Sequence, residues 1–247
     1  MFKKGTLCFL VVGFAALAAV SLFQLMSIIS TYRQGAQTYD ALMRFVVLQP
    51  QSAQAAPADR FPEVDFSALR EINPDVVAWL ILEGTSINYP VVQGADNIFY
   101  LNHMFDGTQN SVGTLFVDSF NTPGFANRNT VIYGHNMRDG SMFSYLIGYQ
   151  SQAFFEEHPK MLLLTPDRNY LIELFAGYTV DVTADSWRVS FADSHDFEGW
   201  ISEAKRQSDF TSDVAINPSD RVVTLSTCSY AFDNARYVVV GRLVPIA

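Results

Sequence analysis

The chain of 247 residues is poor in cysteine: it has two, Cys8 and Cys228. This scarcity excludes the disulfide framework that stabilises many small extracellular domains. Cys8 lies inside a long apolar run near the N-terminus, so the remainder of the chain holds one thiol with no disulfide partner of its own. In an oxidising compartment an unpaired thiol is either incidental or reactive, and the count alone does not decide between the two.

Basic residues are also scarce, with 16 lysines and arginines against 25 acidic residues and a formal net charge of -9. All the acidic residues follow residue 30. A nucleic-acid-binding domain needs a basic footprint, so this charge argues against a nucleic-acid partner. The histidines are scattered, and no acidic triplet recurs at ligand spacing. We therefore predict neither a metal site nor a cofactor.

Apolar residues, by contrast, are concentrated near the N-terminus, where Lys3 and Lys4 precede a run over residues 7–29. As a helix this run would span about 35 Å, enough for the hydrocarbon core of a membrane. A cleaved signal peptide is the alternative, but its apolar region is shorter, and the small residues 16–18 lie inside the run. We predict a retained single-pass anchor over residues 1–30, with the lysines in the cytoplasm and the later residues outside.

The rest of the chain divides into two further segments. Residues 31–48 have apolar positions at helical spacing and residues 49–60 are polar, so 31–60 is predicted to be a helical stalk and linker. Residues 61–247 form the compact domain, which begins with a short helix capped by Asp65 or Ser67. Its β-runs cover residues 76–82, 87–92, 113–118, 129–133, 161–165, 170–182, 221–227 and 236–244, and a helix is expected at 196–208. Many short strands with few helices favour a closed or nearly closed barrel.

Cys228 ends a β-run, where a side chain can project from the rim of a sheet. A thiol acts as a nucleophile only when a base or a positive charge lies nearby. Arg236 opens the next β-run, and in an antiparallel hairpin it would lie near Cys228 and could stabilise a thiolate or an oxyanion. The alternative for Arg236 is an exposed strand residue in a surface ion pair, as we expect for Arg242.

His135 is the candidate base among the four histidines. It closes the β-run 129–133, and Gly134 before it would permit the close approach of another backbone. His158 reads as a solvated helix end, and His195 as part of a loop or helix N-cap. Because a strand-end histidine is more often structural than catalytic, the candidate depends on its combination with the thiol and the arginine.

Two motifs resemble those of a known family. TLSTC at residues 224–228, followed by NARYVVVGRLV at 234–244, resembles the C-terminal signature of sortases, and YGHNM at 133–137 is similar to their catalytic-histidine motif. The TLSTC form and the placement of the helices are similar to class B sortases. The resemblance covers about residues 61–247. It implies a mostly β fold, a closed eight-stranded barrel with short peripheral helices, here preceded by the predicted transmembrane helix.

The resemblance also implies a cysteine transpeptidase. Cys228 matches the nucleophile, His135 the general acid/base and Arg236 the arginine that binds substrate and oxyanion. The implied reaction is cleavage after Thr in a C-terminal sorting motif of secreted proteins, followed by transfer of the thioester to an amine. That amine would belong to a peptidoglycan precursor or cross-bridge, so surface proteins would become anchored to a Gram-positive type of cell wall.

Three further residues match substrate-contacting positions of the family. Ser226 matches a serine two residues before the nucleophile, and Asn97 resembles an asparagine that lines the class B groove. Trp187 lies where that class often has a tyrosine in the loop over the groove. The plain alternatives are a buried sheet hydroxyl for Ser226, a helix cap for Asn97 and a core aromatic for Trp187.

Two rival functions remain open from the sequence. One is another wall-directed cysteine enzyme, such as an L,D-transpeptidase or a papain-like peptidase. Those enzymes have His or Gly beside the cysteine, which the segment Ser-Thr-Cys-Ser-Tyr around Cys228 lacks. The other is a catalytically silent barrel that acts as a surface binding or assembly module, which the joint presence of the three candidate catalytic residues disfavours.

Overall fold

The computed structural model of the protein describes residues 4–47 and 61–246. The predicted linker at 49–60 and Lys3 lie outside the described residues. The apolar run and the residues after it form one helix, α1 (Lys4–Leu42). From Val11 onward this helix contains an 18-residue window with a mean hydropathy of 2.1, none of it buried, so it is long and apolar enough to cross a membrane.

The other elements follow the predicted order. In the described part of the chain, the helices after α1 are α2 (Phe66–Ile72), α3 (Gln152–Glu157), α4 (Ser194–Gln207) and the 3-10 helices Met43–Phe45, Phe99–Leu101, Ser144–Gln150 and Asp185–Trp187. The strands are β1 (Val46–Val47), β2 (Glu63–Val64), β3 (Val76–Ile81), β4 (Asn88–Val92), β5 (Leu115–Val117), β6 (Asn129–Tyr133), β7 (Lys160–Leu164), β8 (Asn169–Asp181), β9 (Val222–Cys228) and β10 (Ala235–Ile246).

Two element starts differ from the predicted ones for local reasons. Strand β5 is shorter than its β-run because Gly113 has φ +65, which an extended strand does not use. Helix α4 starts earlier than expected because the Asp193 side chain accepts a hydrogen bond from the Asp196 backbone and caps it. His195 therefore lies inside the helix rather than at its cap. At α2 the predicted cap is present, since Asp65 accepts from the Ala68 backbone.

Eight strands close into a barrel in the order β10-β8-β7-β3-β4-β5-β6-β9. The pairs β4–β5 and β6–β9 are parallel, and the other neighbours are antiparallel. The predicted mostly β fold with a closed eight-stranded barrel and short peripheral helices is confirmed. Closure leaves the barrel with no unpaired edge strand. The ends of the strands are therefore the places where side chains from several strands can form an accessible site.

The two faces of the barrel wall are buried for different reasons. Side chains such as Val223 and Leu225 point into the barrel and belong to the main core. Their neighbours on the outer face, such as Val222 and Val238, pack in a second apolar cluster beneath α4. Helix α4 supplies Phe197, Trp200, Ile201 and Ala204 to that cluster from one side of its surface. Strand β9 is therefore buried on both faces, apart from its end.

The C-terminal part of α1 packs against the side of the barrel. Tyr39 and Leu42 are 6% and 5% exposed and belong to the main core. The Tyr39 hydroxyl donates to the Gly113 carbonyl, and the Asn110 amide donates to the Thr31 carbonyl at 3.1 Å. These contacts stabilise the helix on the body of the protein directly after the apolar run.

Gly35 permits the close contact between α1 and the body, which gives a testable prediction. A Cβ atom at Gly35 would lie 2.9 Å from a Val112 methyl group. We expect Gly35→Leu to destabilise the packing of α1 by about 1–3 kcal/mol, although leucine favours a helix by nearly 1 kcal/mol over glycine. Hydrogen exchange of residues 31–42 in detergent-solubilised full-length protein should become faster.

Gly13→Leu is the matched control, because an added Cβ there meets nothing within 4 Å. That variant should leave the exchange of residues 31–42 unchanged. Equal exchange rates in the two variants would contradict a close contact of the helix with Val112.

Candidate active site

Cys228 and Arg236 face each other across two neighbouring strands. Cys228 ends β9, Arg236 is the second residue of β10, and the two are Cα partners in the antiparallel ladder. Opposed residues of such a ladder have Cβ atoms about 4.5–5.5 Å apart and project to the same face. Val238, which shares the parity of Arg236 along β10, packs in the outer cluster. The thiol and the guanidinium therefore project together from the outer face of the barrel.

The guanidinium of Arg236 remains available to an anion. Its Nη1 donates to the Ala235 carbonyl at 3.1 Å, and among the described residues it forms no salt bridge. Hydrogen bonds from Thr183 hold the pKa of the Asp181 carboxyl below its usual value, and the charge of Arg236 lowers that pKa further. Cys228 itself is half-buried, so a substrate can reach its sulfur.

His135 reaches the same place from the other side of β9. Strand β6 runs parallel to β9, and the last pair of their ladder joins Tyr133 to Ser226. The contacts continue beyond it: the Gly134 amide donates to the Ser226 carbonyl at 3.1 Å, and the Asn136 side chain donates to the Cys228 carbonyl at 3.0 Å. The two neighbours of His135 in the chain therefore contact the last residues of β9, which brings His135 to the end of the strand that carries Cys228.

The hydrogen bond of the His135 ring defines its tautomer. Nε2 lies 2.6 Å from the Leu101 carbonyl oxygen. A carbonyl oxygen can only accept, so Nε2 carries the hydrogen in this bond, and Nδ1 is left as the nitrogen without a hydrogen in the neutral ring. The ring fits against Gly113, where a Cβ atom would lie 3.1 Å from His135 Cδ2.

Gly134 serves a different purpose from the predicted one. A Cβ atom there would clash with Leu115 and lie 2.7 Å from Phe143, so the absent side chain makes room for two core side chains rather than for another backbone. The carbonyl of Gly134 also accepts a hydrogen bond from Thr227 at 2.8 Å. The tight packing fixes the direction of the backbone between the end of β6 and His135.

Ser226 and Trp187 are in direct contact. The indole Nε1 of Trp187 donates to the Ser226 hydroxyl at 3.0 Å, and Ser226 is 2% exposed. Trp187 ends a 3-10 helix in the connection between β8 and α4, and its ring packs in part against the outer cluster. The structure thus unites two of the residues matched to substrate-contacting positions, directly beside Cys228.

Several hydrogen bonds fix the segment that carries Trp187. The Asn129 side chain, which is buried at the start of β6, donates to the Arg188 carbonyl at 2.8 Å. The Trp200 indole donates to the Asp185 carbonyl at 2.9 Å. Arg188 forms an ion pair with Asp196 of α4, and its hydrogen bonds hold the pKa of that carboxyl below its usual value.

Asn97 takes part in a loop contact of its own. Its side-chain oxygen accepts a hydrogen bond from the Ser119 backbone at 2.8 Å, which holds the segment after β5. The 3-10 helix that follows has no side-chain cap, and it is Asp96 whose carboxylate accepts hydrogen bonds from the backbones of Ile98 and Phe99. Asn97 therefore positions a loop, and the described residues show no hydrogen bond from it to Cys228, His135 or Arg236.

Sequence reasoning missed the supporting residues Asn136, Asn129 and Leu101. Asn136 follows His135 directly in its motif, and Asn129 is a buried amide at the start of an apolar strand, so both carried a signal. Leu101 carried none, because it contributes through its backbone carbonyl. Within residues 4–47 and 61–246, no group of three or more His, Cys, Asp or Glu side chains could hold a metal ion.

Comparison with known proteins identifies the family of the chain. A family model described as the sortase domain matches residues 80–244. Sortase B of Listeria monocytogenes is 39% identical over 180 residues, which covers 71% of this chain and 72% of the relative.

Solved structures are similar over a comparable range. The sortase B–substrate complex of Staphylococcus aureus has a TM-score of 0.71 and 36% identity, and the match covers 74% of this chain and 85% of that one. Sortase B of Bacillus anthracis in complex with AAEK1 has a TM-score of 0.76 and 30% identity over 88% of this chain and 99% of that one. The chain therefore belongs to the sortase family, has class B sortases as its relatives, and is a cysteine transpeptidase.

Proposed function

We propose that this sortase cleaves a C-terminal sorting motif of secreted proteins after Thr and transfers the acyl group to a peptidoglycan amine. The observation that carries the proposal is the convergence of Cys228, His135 and Arg236 at the ends of β9, β6 and β10. The similar sortase B of Staphylococcus aureus forms a complex with its substrate, which supports a sorting-motif peptide as the donor here as well.

In the first step, the Cys228 thiol gives its proton to Nδ1 of His135, and the resulting thiolate sulfur attacks the carbonyl carbon of the Thr residue. Arg236 donates hydrogen bonds to the oxygen that becomes negative, a role open to its guanidinium because it forms no salt bridge with any described residue. The C–N bond then breaks, and His135 gives its proton to the leaving amine. Because Nε2 is held by the Leu101 carbonyl, Nδ1 is the nitrogen that exchanges this proton with the substrate.

In the second step, the amine of a peptidoglycan precursor or cross-bridge attacks the thioester carbon. His135 takes a proton from the attacking amine, the C–S bond breaks, and a new peptide bond forms while the Cys228 sulfur is released. A thioester reacts more readily with an amine than with water. Transfer is therefore favoured over hydrolysis in a groove that the Trp187 segment shields on one side.

The location of the reaction follows from α1. We propose that the apolar residues 7–29 cross the cell membrane once, that Lys3 and Lys4 remain in the cytoplasm, and that the barrel lies outside. The unpaired thiol of Cys228 then works in the compartment where its substrates emerge. No cofactor is required in this scheme.

The first prediction concerns the nucleophile. Full-length protein should cleave fluorogenic sorting-motif peptides and form an adduct with an added amine such as triglycine, as measured by mass spectrometry. Cys228→Ala should abolish both products, because the other thiol of the chain, Cys8, lies in the apolar run of α1 and away from the barrel. Cleavage or transfer that survives in Cys228→Ala would refute the assignment. Cleavage without any amine adduct would favour a cysteine peptidase, and neither product from the wild type would favour a binding module.

The second prediction concerns the arginine fork. Arg236→Lys keeps a positive charge but loses the planar arrangement of donors, so kcat/KM should fall by about 10²–10³-fold. Arg242→Lys is the matched control, because Arg242 lies on the same strand and pairs with Glu173 and Asp220. Its kcat/KM should change by less than about threefold, as expected for a structural ion pair. Equal effects of the two substitutions would contradict a direct role for Arg236.

The third prediction concerns the contact between Trp187 and Ser226. Trp187→Phe keeps an aromatic ring but removes the indole donor, and Ser226→Ala removes the acceptor. Each single change should lower kcat/KM by about 2–10-fold, the value of one hydrogen bond, and the double variant should lose little more than either. Additive losses in this double-mutant cycle would show that the bond does not position the groove.

A further inference from the structure

A cleft of about 480 Å³ lies between α1 and the active-site loops. On one side it is lined by Ile28 and Thr31 of α1, and on the other by His135, Arg138 and Tyr230. Arg138 follows β6 in the chain, and Tyr230 lies in the loop between β9 and β10. The catalytic scheme uses His135 but leaves the other side chains of this cleft without a role.

The length of the apolar run sets the height of the cleft relative to a membrane. A hydrocarbon core of about 30 Å takes about 20 helical residues. Counted from residue 7, that length ends near Met26, and the apolar run itself ends at Ile29. The turn of α1 that leaves the hydrocarbon core is therefore the same turn that lines the cleft through Ile28.

The contacts of α1 with the body leave little freedom to change this height. The helix continues to Leu42, and its packing begins within one turn of Ile28, where the Asn110 side chain donates to the Thr31 carbonyl. It continues through Gly35 against Val112 and the buried Tyr39. Because one helix serves both as anchor and as a packed element, the cleft stays at the level of the lipid headgroups.

The side chains at the mouth of the cleft suit that environment. Tyr230 is 74% exposed and Phe232, in the same loop, is 49% exposed. Tyrosine is enriched where membrane and water meet, since its ring is apolar and its hydroxyl polar. Arg138 is exposed and forms no hydrogen bond or salt bridge with any residue that the structure describes, so its guanidinium can bind a lipid phosphate with two parallel hydrogen bonds.

We propose that Ile28, Arg138 and Tyr230 form a membrane-seating surface that rests on the phospholipid headgroups of the leaflet from which α1 emerges. Arg138 binds a lipid phosphate, and Tyr230 enters the headgroup layer. The cleft that His135 lines then faces the lipid surface, so reactants reach His135 along the membrane. This inference rests on the proposed membrane anchorage and adds to it an orientation of the active site.

Site-directed spin labelling tests the seating surface directly. The full-length chain with Cys8→Ala and Cys228→Ala, reconstituted in phosphatidylglycerol/phosphatidylcholine vesicles, would carry a single labelled cysteine at Leu17, Tyr230 or Arg70. We expect the label at Leu17 to be accessible to oxygen and shielded from a water-soluble nickel chelate. Arg70 lies on α2 beside the 3-10 helix that follows α1, about 20 Å further along the helix direction than Ile28, and its label should behave as in water.

The label at position 230 decides the proposal. The proposal is supported if the label at 230 is less accessible to the nickel chelate than the label at 70 and more accessible than the label at 17. It is overturned if the labels at 230 and 70 are equally accessible. Shielding that disappears as the lipid-to-protein ratio rises would reveal a contact between protein copies and also overturn it. A water-exposed label at 17 would reject the anchor itself, and none of these results depends on catalysis by Cys228.

A charge reversal gives an independent check on the phosphate contact. Arg138→Glu should move the label at 230 toward water, while Arg70→Glu should leave its accessibility unchanged. The change that Arg138→Glu causes in the accessibility of the label at 230 should be smaller in vesicles of uncharged glycolipids. Those lipids carry no phosphate for the wild-type arginine to bind. If Arg138→Glu left the accessibility of the label at 230 unchanged, the proposed contact between Arg138 and a lipid phosphate would be wrong.

Discussion

The register of β9 between its two neighbours is the constraint on which the active site depends. Side chains alternate between the faces of a strand, so a slip of one residue would turn the sulfur of Cys228 into the barrel and replace it at the rim by Thr227. The register is set along the full length of the strand, by seven paired positions with β10 and five with β6. Inside the barrel, the sites of Val223 and Leu225 make any slip costly, because it would place Thr224 and Ser226 in the apolar core without their hydrogen-bond partners.

The same register produces a row of hydroxyl groups on the outer face of β9. Thr224 and Ser226 are almost fully buried, and a buried hydroxyl without a partner costs free energy. Thr224 donates to Asn129 at 2.9 Å, and Ser226 accepts from Trp187. Asn129 and Trp187 both hold the connection between β8 and α4, so the requirement to pair these hydroxyls also fixes the segment over the groove. The packing of the outer face and the position of the Trp187 segment thus depend on the same polar atoms.

Sequence patterns predicted the parts of this arrangement that depend on local periodicity. The β-runs around Cys228 and Arg236 and the short loop between them were sufficient to place the two side chains together, because hairpin partners are close in sequence. The position of His135 depends on a parallel pairing between segments about ninety residues apart, and only the family resemblance indicated it. The contact of Leu101 with His135 uses a backbone carbonyl, and the packing of Gly134 depends on Leu115 and Phe143, so neither has a signature in the sequence.

The C-terminal part of α1 packs as an element of the barrel domain. Tyr39 and Leu42 belong to the main core, and Tyr39 stacks edge-on against Tyr89 of β4 at 5.2 Å between ring centroids. Burial raises the pKa of the Tyr39 and Tyr89 hydroxyls. The contact between α1 and β4 thus shields both groups from water. A fragment that began after the linker would expose the barrel surface that these residues cover, including Val112 and Gly113. Gly113 also contacts the ring of His135, so α1 supports, through this glycine, the wall against which that imidazole lies.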